Sequence, residues 1–262
     1  MQKRTAYCEN PICSLAVLSV MGDRTDQQDD FGYMLDDERS LIIVCDGMGG
    51  HEGGRLASNA AVNRFILQYK SAPKNYEIIP FLEECTALAN ADVLNLKTAS
   101  GEKLNAGSTL VAVMLDSSRN LYWNSVGDSR LYLFRDGDFA QITQDHNYTT
   151  VLLEKLNAGM IDREEFNSEN LKGEALISFL GISGSPLVDY NTLPLPLLPG
   201  DRLVIMSDGL YKVLPDADIL NIVNNFSNVN ETAMALEIKA EKTATKNGIS
   251  RDNTTIAVLK IK

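Results

Sequence analysis

Cysteine and histidine are scarce in this chain, with four of the first and two of the second in 262 residues. Cys8, Cys13, Cys45 and Cys85 show no Cys-x-x-Cys spacing, so the usual sequence sign of a structural zinc site is missing. Cys45 lies in an apolar run that should be buried, and free thiols in a reducing compartment are the simplest reading. No cysteine heads a Cys-x5-Arg loop, which argues against a thiolate nucleophile for phosphate esters. Basic residues are the minority charge, 24 Lys and Arg against 35 Asp and Glu, for a net charge of −11. That balance argues against a general nucleic-acid or anionic-membrane binder, because those partners need a basic surface. No long apolar run follows the first residues and none approaches a membrane span, so neither a signal peptide nor a membrane segment is expected and the chain reads as cytoplasmic. Internal repeats and low-complexity tails are missing too. A hydrophobic content of 44% and a charged content of 23% are those of an ordinary folded domain.

What the chain does have is carboxylates at strand ends. In Val44-Cys45-Asp46-Gly47-Met48-Gly49-Gly50-His51-Glu52-Gly53-Gly54 an apolar strand stops at an aspartate and enters a glycine-rich turn. A buried strand delivers the Asp46 oxygens to one fixed point, and the glycines let backbone groups approach an ion or a phosphate without side-chain clashes. A nucleotide-phosphate loop is a competing reading, but the run lacks the Lys-Ser/Thr ending of a P-loop and the strand-helix fingerprint of a dinucleotide site. Three more segments share the pattern: Arg24-Thr25-Asp26-Gln27-Gln28-Asp29, Leu203-Val204-Ile205-Met206-Ser207-Asp208-Gly209, and Arg251-Asp252-Asn253-Thr254-Thr255 ahead of Ile256-Ala257-Val258-Leu259.

Strand-like runs fall at 15–20, 31–35, 41–45, 109–115, 121–126, 130–134, 202–207 and 254–261, separated by turn residues such as Asp136-Gly137-Asp138 and Pro199-Gly200-Asp201. Helical stretches at 55–69 and 78–97 fall together between the third and fourth strands, and two more at 216–225 and 231–245 precede the last. In the first, Ala57, Ala61 and Phe65 share a face at helical spacing. Consecutive strands joined by short turns, interrupted by paired helices, predict an α+β fold with antiparallel sheets. The segment 147–182 differs: a helical-looking stretch at 148–157 leads into polar sequence with few apolar anchors, a pattern expected to be weakly held.

Together with Ala106-Gly107-Ser108-Thr109-Leu110-Val111, Val126-Gly127-Asp128-Ser129-Arg130 and Ile142-Thr143-Gln144-Asp145-His146, these segments in this order resemble the metal-dependent protein phosphatases of type 2C, which dephosphorylate phosphoserine and phosphothreonine on proteins. Any one string is weak; seven in sequence over nearly the whole chain are specific. The resemblance implies a four-layer α/β/β/α sandwich of two antiparallel sheets with paired outer helices, and metals in a channel at one edge. It implies a single catalytic domain over 1–262, because ligands near both ends must converge, with 147–182 as a flap that influences substrate access. The chain should be a stand-alone bacterial enzyme of signal transduction, a monomer by default. Its expected partners are phosphorylated proteins, with a Ser/Thr kinase and its substrates the natural ones.

Phosphate monoesters resist hydrolysis because attacking water must become hydroxide-like while the phosphoryl oxygens repel it, and a pair of divalent ions addresses both difficulties. Hard Mn²⁺ or Mg²⁺ prefers oxygen donors, and two ions or three are expected. By the resemblance, Asp46 bridges the ions with the Gly47 carbonyl beside it, Asp208 and Asp252 complete the inner site, and Asp29 orders water around it or ligates weakly. Asp128 would hold a third, weaker ion with Asp208, and Arg24 would grip two phosphoryl oxygens through its guanidinium fork. Arg24, Asp46 and Asp208 form the expected catalytic set. His51 and His146 are expected to be structural, and Asp30 and Asp145 to act in turns or caps. Departures from the family pattern are Gln27 and Gln28 in place of Asn and Glu or Gln, Met48 where animal members have a histidine, which leaves no obvious proton donor there, and Arg55 in place of a glutamate. They leave one alternative, a catalytically weak pseudophosphatase that binds phosphoproteins without turnover.

Overall fold

The computed structural model describes residues 3–73 and 75–262, with the side chain of His51 outside that description. Each apolar run of the sequence forms a strand: Cys13–Val20 (β2), Asp29–Leu35 (β3), Arg39–Met48 (β4), Leu110–Asp116 (β6), Asn120–Val126 (β7), Arg130–Arg135 (β8), Arg202–Met206 (β12) and Thr254–Ile261 (β13). The helices are Gly50–Ser71 (α1), Ile78–Leu94 (α2), Tyr148–Asn157 (α3), Arg163–Glu169 (α4), Asp208–Tyr211 (α5), Asp216–Asn225 (α6) and Val229–Asn247 (α7). Strands not anticipated are Lys3–Glu9 (β1), Gly107–Ser108 (β5), Asp138–Gln141 (β9), Asp189–Tyr190 (β10) and Leu195–Pro196 (β11). β1 and β9 are edge strands whose side chains stay largely exposed, so the apolar alternation that marks a strand in sequence is missing from them.

All strand pairings are antiparallel and form two sheets, one in the order β1-β2-β13-β12-β8-β9 and the other β10-β7-β6-β4-β3, with β11 on β7 and β5 on β4. Alternation along the strands builds three apolar layers. On β4, Ile42 and Val44 meet Leu15, Val17, Ile205 and Leu259 of the other sheet, while Leu41, Ile43 and Cys45 turn to Ala57, Phe65 and Leu82 on α1 and α2. On β13, Ile256 and Val258 turn outward to Ile219, Leu236 and Ala240 on α6 and α7. The result is the expected α/β/β/α sandwich. All four cysteines are free, and Cys45 is fully buried.

Two expectations need correction. The glycine-rich run after Asp46 is not a turn: α1 begins at Gly50, so residues 50–54 form its first helical turn. Glycine's poor helix propensity hides this in the sequence, but tertiary packing overrides it. A Cβ on Gly47 would lie 2.0 Å from the Gly54 carbonyl oxygen, and one on Gly54 would lie 2.7 Å from the Gly47 oxygen. The two glycines let a strand end and a helix start touch. The polar stretch after Asp162 is also helical, as α4: the Asp162 carboxylate accepts the Glu165 N–H at 2.8 Å, and Glu164 and Glu165 complement the helix N-terminus. An Asp three residues ahead of a Glu was the available signal.

Candidate active site

The ends of β4 and β12, the starts of β13 and α5, the β7–β8 turn and the chain ahead of β3 meet around a cleft of about 650 Å³. Arg24, Asp46, Gly47, Asp128, Asp208 and Asp252 all line it. Asp29 does not. It is 2% exposed on β3, paired across the ladder with Asp46, and lines a smaller cavity of about 320 Å³ together with Arg4, Asp30 and Arg55.

Asp46 is held by its backbone. Its N–H donates to Thr109 Oγ1 at 2.9 Å, and its carbonyl accepts from the Thr109 N–H at 2.8 Å and from Ser108 Oγ at 3.1 Å. Thr109 Oγ1 also lies 2.8 Å from Ser129 Oγ. The Gly-Ser-Thr and Gly-Asp-Ser strings therefore brace the aspartate at the end of β4.

Asp252 is fixed by its neighbours. Asn253 donates its side-chain amide to the carbonyls of Met21 and Asp26 and accepts the Gln28 N–H at 2.7 Å, which stitches the start of β13 to the chain ahead of β3. Gln27 and Gln28 are part of this frame. Gln27 donates to Ser19 Oγ at 3.0 Å and accepts the Asp29 N–H, and Gln28 donates to the Gly50 carbonyl at 3.0 Å. Asp29 accepts a 2.7 Å hydrogen bond from Ser207 Oγ, which in turn accepts the Thr255 N–H.

Two of the cleft carboxylates are held by cations. Arg24, whose side chain is 59% exposed, lies 2.5 Å from Asp252 Oδ2, so the arginine expected on phosphate rests on an expected ligand. Lys212 reaches Asp208 Oδ2 at 2.7 Å and Glu174 Oε2 at 3.2 Å. Sequence reasoning missed Lys212, and it gave no role of their own to Ser108, Thr109, Ser207 and Asn253, which lie inside its strings.

Of the residues expected to be structural, His146 accepts the Gly127 N–H on Nδ1 at 3.2 Å, and its carbonyl accepts the Ile177 N–H, tying 147–182 to the core. Asp145 pairs with Arg130 at 2.7 Å, and Asp30 with Arg4 at 2.7 Å and Asn59 at 3.0 Å. The structural role expected of the His51 side chain lies outside the described residues. The segment 147–182 contributes Glu174, Leu176 and Phe179 to the cleft wall and is anchored by Leu152, Phe166 and Leu180.

The carboxylates repel one another. Burial first, then the charges of Asp29 and Asp208, push the Asp46 carboxyl well above the usual range. Burial, then Asp208, push Asp128 up to about 6 against the pull of Lys212. Burial also raises Asp29, against the hydrogen bond from Ser207. Among the described residues no three His, Cys, Asp or Glu side chains close a ready-made cage. The donor set nonetheless fits a hard divalent cation: oxygen only, crowded enough to need neutralising, with Asp208 Oδ1 buried and unpartnered.

A profile of the family described as protein phosphatase 2C matches residues 21–241. The chain belongs to the protein phosphatase 2C family. It is 30% identical over 217 residues to the serine/threonine phosphatase stp of Listeria innocua, covering 82% of this chain and 83% of that one. Its fold is similar to the S. agalactiae serine/threonine phosphatase, with a TM-score of 0.81 and 24% identity over 95% of this chain and 100% of that one. It is also similar to the catalytic domain of serine threonine protein phosphatase PstP in complex with two manganese ions, with a TM-score of 0.75 and 25% identity over 95% and 98% of the two chains. Type 2C membership accounts for the two-sheet sandwich and for the order of the strings that converge on the cleft.

Proposed function

We propose that this chain hydrolyses phosphoserine and phosphothreonine on proteins, with Mn²⁺ or Mg²⁺, as a single-domain monomeric enzyme of a bacterial cytoplasm. The observation that carries the reading is the convergence of Asp46, Asp128, Asp208 and Asp252, from four separate places in the chain, on one cleft with Arg24 on its wall. Asp46, Asp208 and Asp252, with the Gly47 carbonyl, would hold two ions, and Asp128 with Asp208 a third, weaker one. When bound, such ions polarise the phosphoryl oxygens and make a water nucleophilic at neutral pH.

The side chains do the rest. Arg24 exchanges Asp252 for two phosphoryl oxygens and so orients the monoester; its exposed position leaves it free to swing. Ser108 and Thr109 keep Asp46 at a fixed depth. Asp29 does not face the cleft, so it positions rather than ligates, acting through its ladder pairing with Asp46 and its bond to Ser207. Glu174, Leu176 and Phe179 on the cleft wall support an influence of 147–182 on access by phosphoproteins, among them a Ser/Thr kinase and its substrates. The pseudophosphatase alternative gains nothing: Gln27 and Gln28 are built into the frame, and Arg55 lines the smaller cavity away from the four carboxylates.

The test is hydrolysis of p-nitrophenyl phosphate and a phosphothreonine peptide by chelator-stripped protein, with and without Mn²⁺, beside Asp208→Asn. Mn²⁺-dependent release that vanishes in the variant is expected. Metal binding without release from either substrate would overturn the reading.

A further inference from the structure

Lys212 takes no part in the scheme above, yet it stands inside the site. It follows α5, four residues after Asp208, and lines both the cleft and a neighbouring cavity of about 700 Å³ that shares Asp128 and Glu174 with it. Its two contacts are unequal. The Glu174 side chain is 79% exposed, so that pairing is weak, whereas the Asp208 side chain is 15% exposed and its pairing is enclosed. Burial works against the charge on Lys212, but the attraction and hydrogen bond of Asp208, with a further pull from Asp128, more than offset it, so the ammonium stays charged. Lys212 and Asp128 line both cavities together, and the ammonium bonds one Asp208 oxygen, Oδ2, at the cleft they share.

We propose that Lys212 is a tethered cation of this site, occupying the side of Asp208 that faces Asp128, so that a third divalent ion takes that carboxylate pair only by displacing it. The inference rests on the reading that Asp46, Asp208 and Asp252 hold the first two ions. An ammonium is a compact point charge on a flexible stem, and one fixed to the chain competes at a high local concentration. The lysine side chain is 33% exposed, which gives it a way out to solvent when it yields. The third site is therefore weak by competition rather than blocked.

Mn²⁺ binding to the chelator-stripped full chain, followed by calorimetry and by electron paramagnetic resonance, tests this directly. Lys212→Met keeps the apolar stem and removes the charge. It should tighten the weakest class of Mn²⁺ by about tenfold or more, since an opposing unit charge in contact with a ligand is lost. Lys212→Arg should bind like the parent, and adding Asp128→Asn to Lys212→Met should remove the gain. If Lys212→Met melts early without metal, Lys212→Gln carries the same test. Unchanged affinities and stoichiometry in the neutral variants overturn the proposal. So does loss of the tight classes in a folded variant, or a parent that already binds three ions equally tightly. A parent that binds no Mn²⁺ at all overturns the metal-dependent function itself; two tight ions with no gain in the neutral variants overturn only the role of Lys212.

Discussion

Arg24 rests on Asp252, so the side chain proposed to hold phosphate and one proposed to hold a metal hold each other. A graded set of variants separates them. Asp46→Asn and Asp208→Asn should bring p-nitrophenyl phosphate turnover to background, Arg24→Ala should raise KM more than it lowers kcat, and Asp128→Ala should retain the two tight Mn²⁺ ions in a calorimetric titration. Equal losses in all four would refute the division of labour. Gly47 carries a different constraint. Its missing Cβ is what lets β4 and α1 touch, with the Gly54 oxygen only 2.0 Å from where that atom would be. Gly47→Ala should cost about 1–3 kcal/mol or more of stability, as overpacking into backbone does, and the fall should appear in a thermal melt of the metal-free protein. The aspartates themselves were legible in sequence because each sits at a strand end within a recognisable string. Lys212 was not singled out, although it stands four residues after Asp208, the spacing at which one helical turn brings a base back onto an acid.

Among the elements, the start of β13 depends on a buried ion pair. Arg251 and Glu237 are 3% and 8% exposed at the side chain and 2.8 Å apart, joining the loop that carries Asp252 to α7. The Arg251 N–H donates to Asp23, which anchors the same loop from the other side. Glu237→Gln should cost about 3–5 kcal/mol, because it strands a buried guanidinium, and Arg251→Met with Glu237→Leu should recover most of the loss in urea unfolding. Sequence patterning located α3 at 148–157 and α6 at 216–225 with the boundaries observed. It failed where local propensity and packing disagree. Glycine hid the first turn of α1, exposed polar side chains hid β1 and β9, and α4 declared itself only through the Asp162 cap.

For the whole molecule the concentration of buried carboxylates sets how stability responds to pH. Asp46, Asp29 and Asp128 have folded-state pKa values raised above the unfolded ones, Asp128 to about 6. The folded state therefore binds more protons between about pH 4 and those raised values, and the stability these groups lend at low pH is lost as pH rises through that window. His146 is lowered by burial and works the other way, costing stability as pH falls below its ordinary value. Three raised carboxyls outweigh one histidine across pH 5–7. The melting temperature of chelator-stripped protein should accordingly fall from about pH 5 to about pH 8, and saturating Mn²⁺ should raise it more at the higher pH. A metal-free melting temperature that rises over that range, or a Mn²⁺ effect independent of pH, would show that burial and mutual repulsion do not raise these carboxyls.

The sequence by itself determined the α+β class with antiparallel sheets and the apolar faces of the strands and helices, which follow from periodicity. The two-sheet sandwich and the set of clustered aspartates came from the resemblance of its short strings to the type 2C phosphatases. Only the tertiary structure decided which carboxylates face one another. It set Asp29 behind Asp46 rather than in the cleft, laid Arg24 on Asp252, and let a run of glycines become helix. The physical reason is the same in each case: burial and long-range contact energies exceed the local preferences that a linear sequence displays.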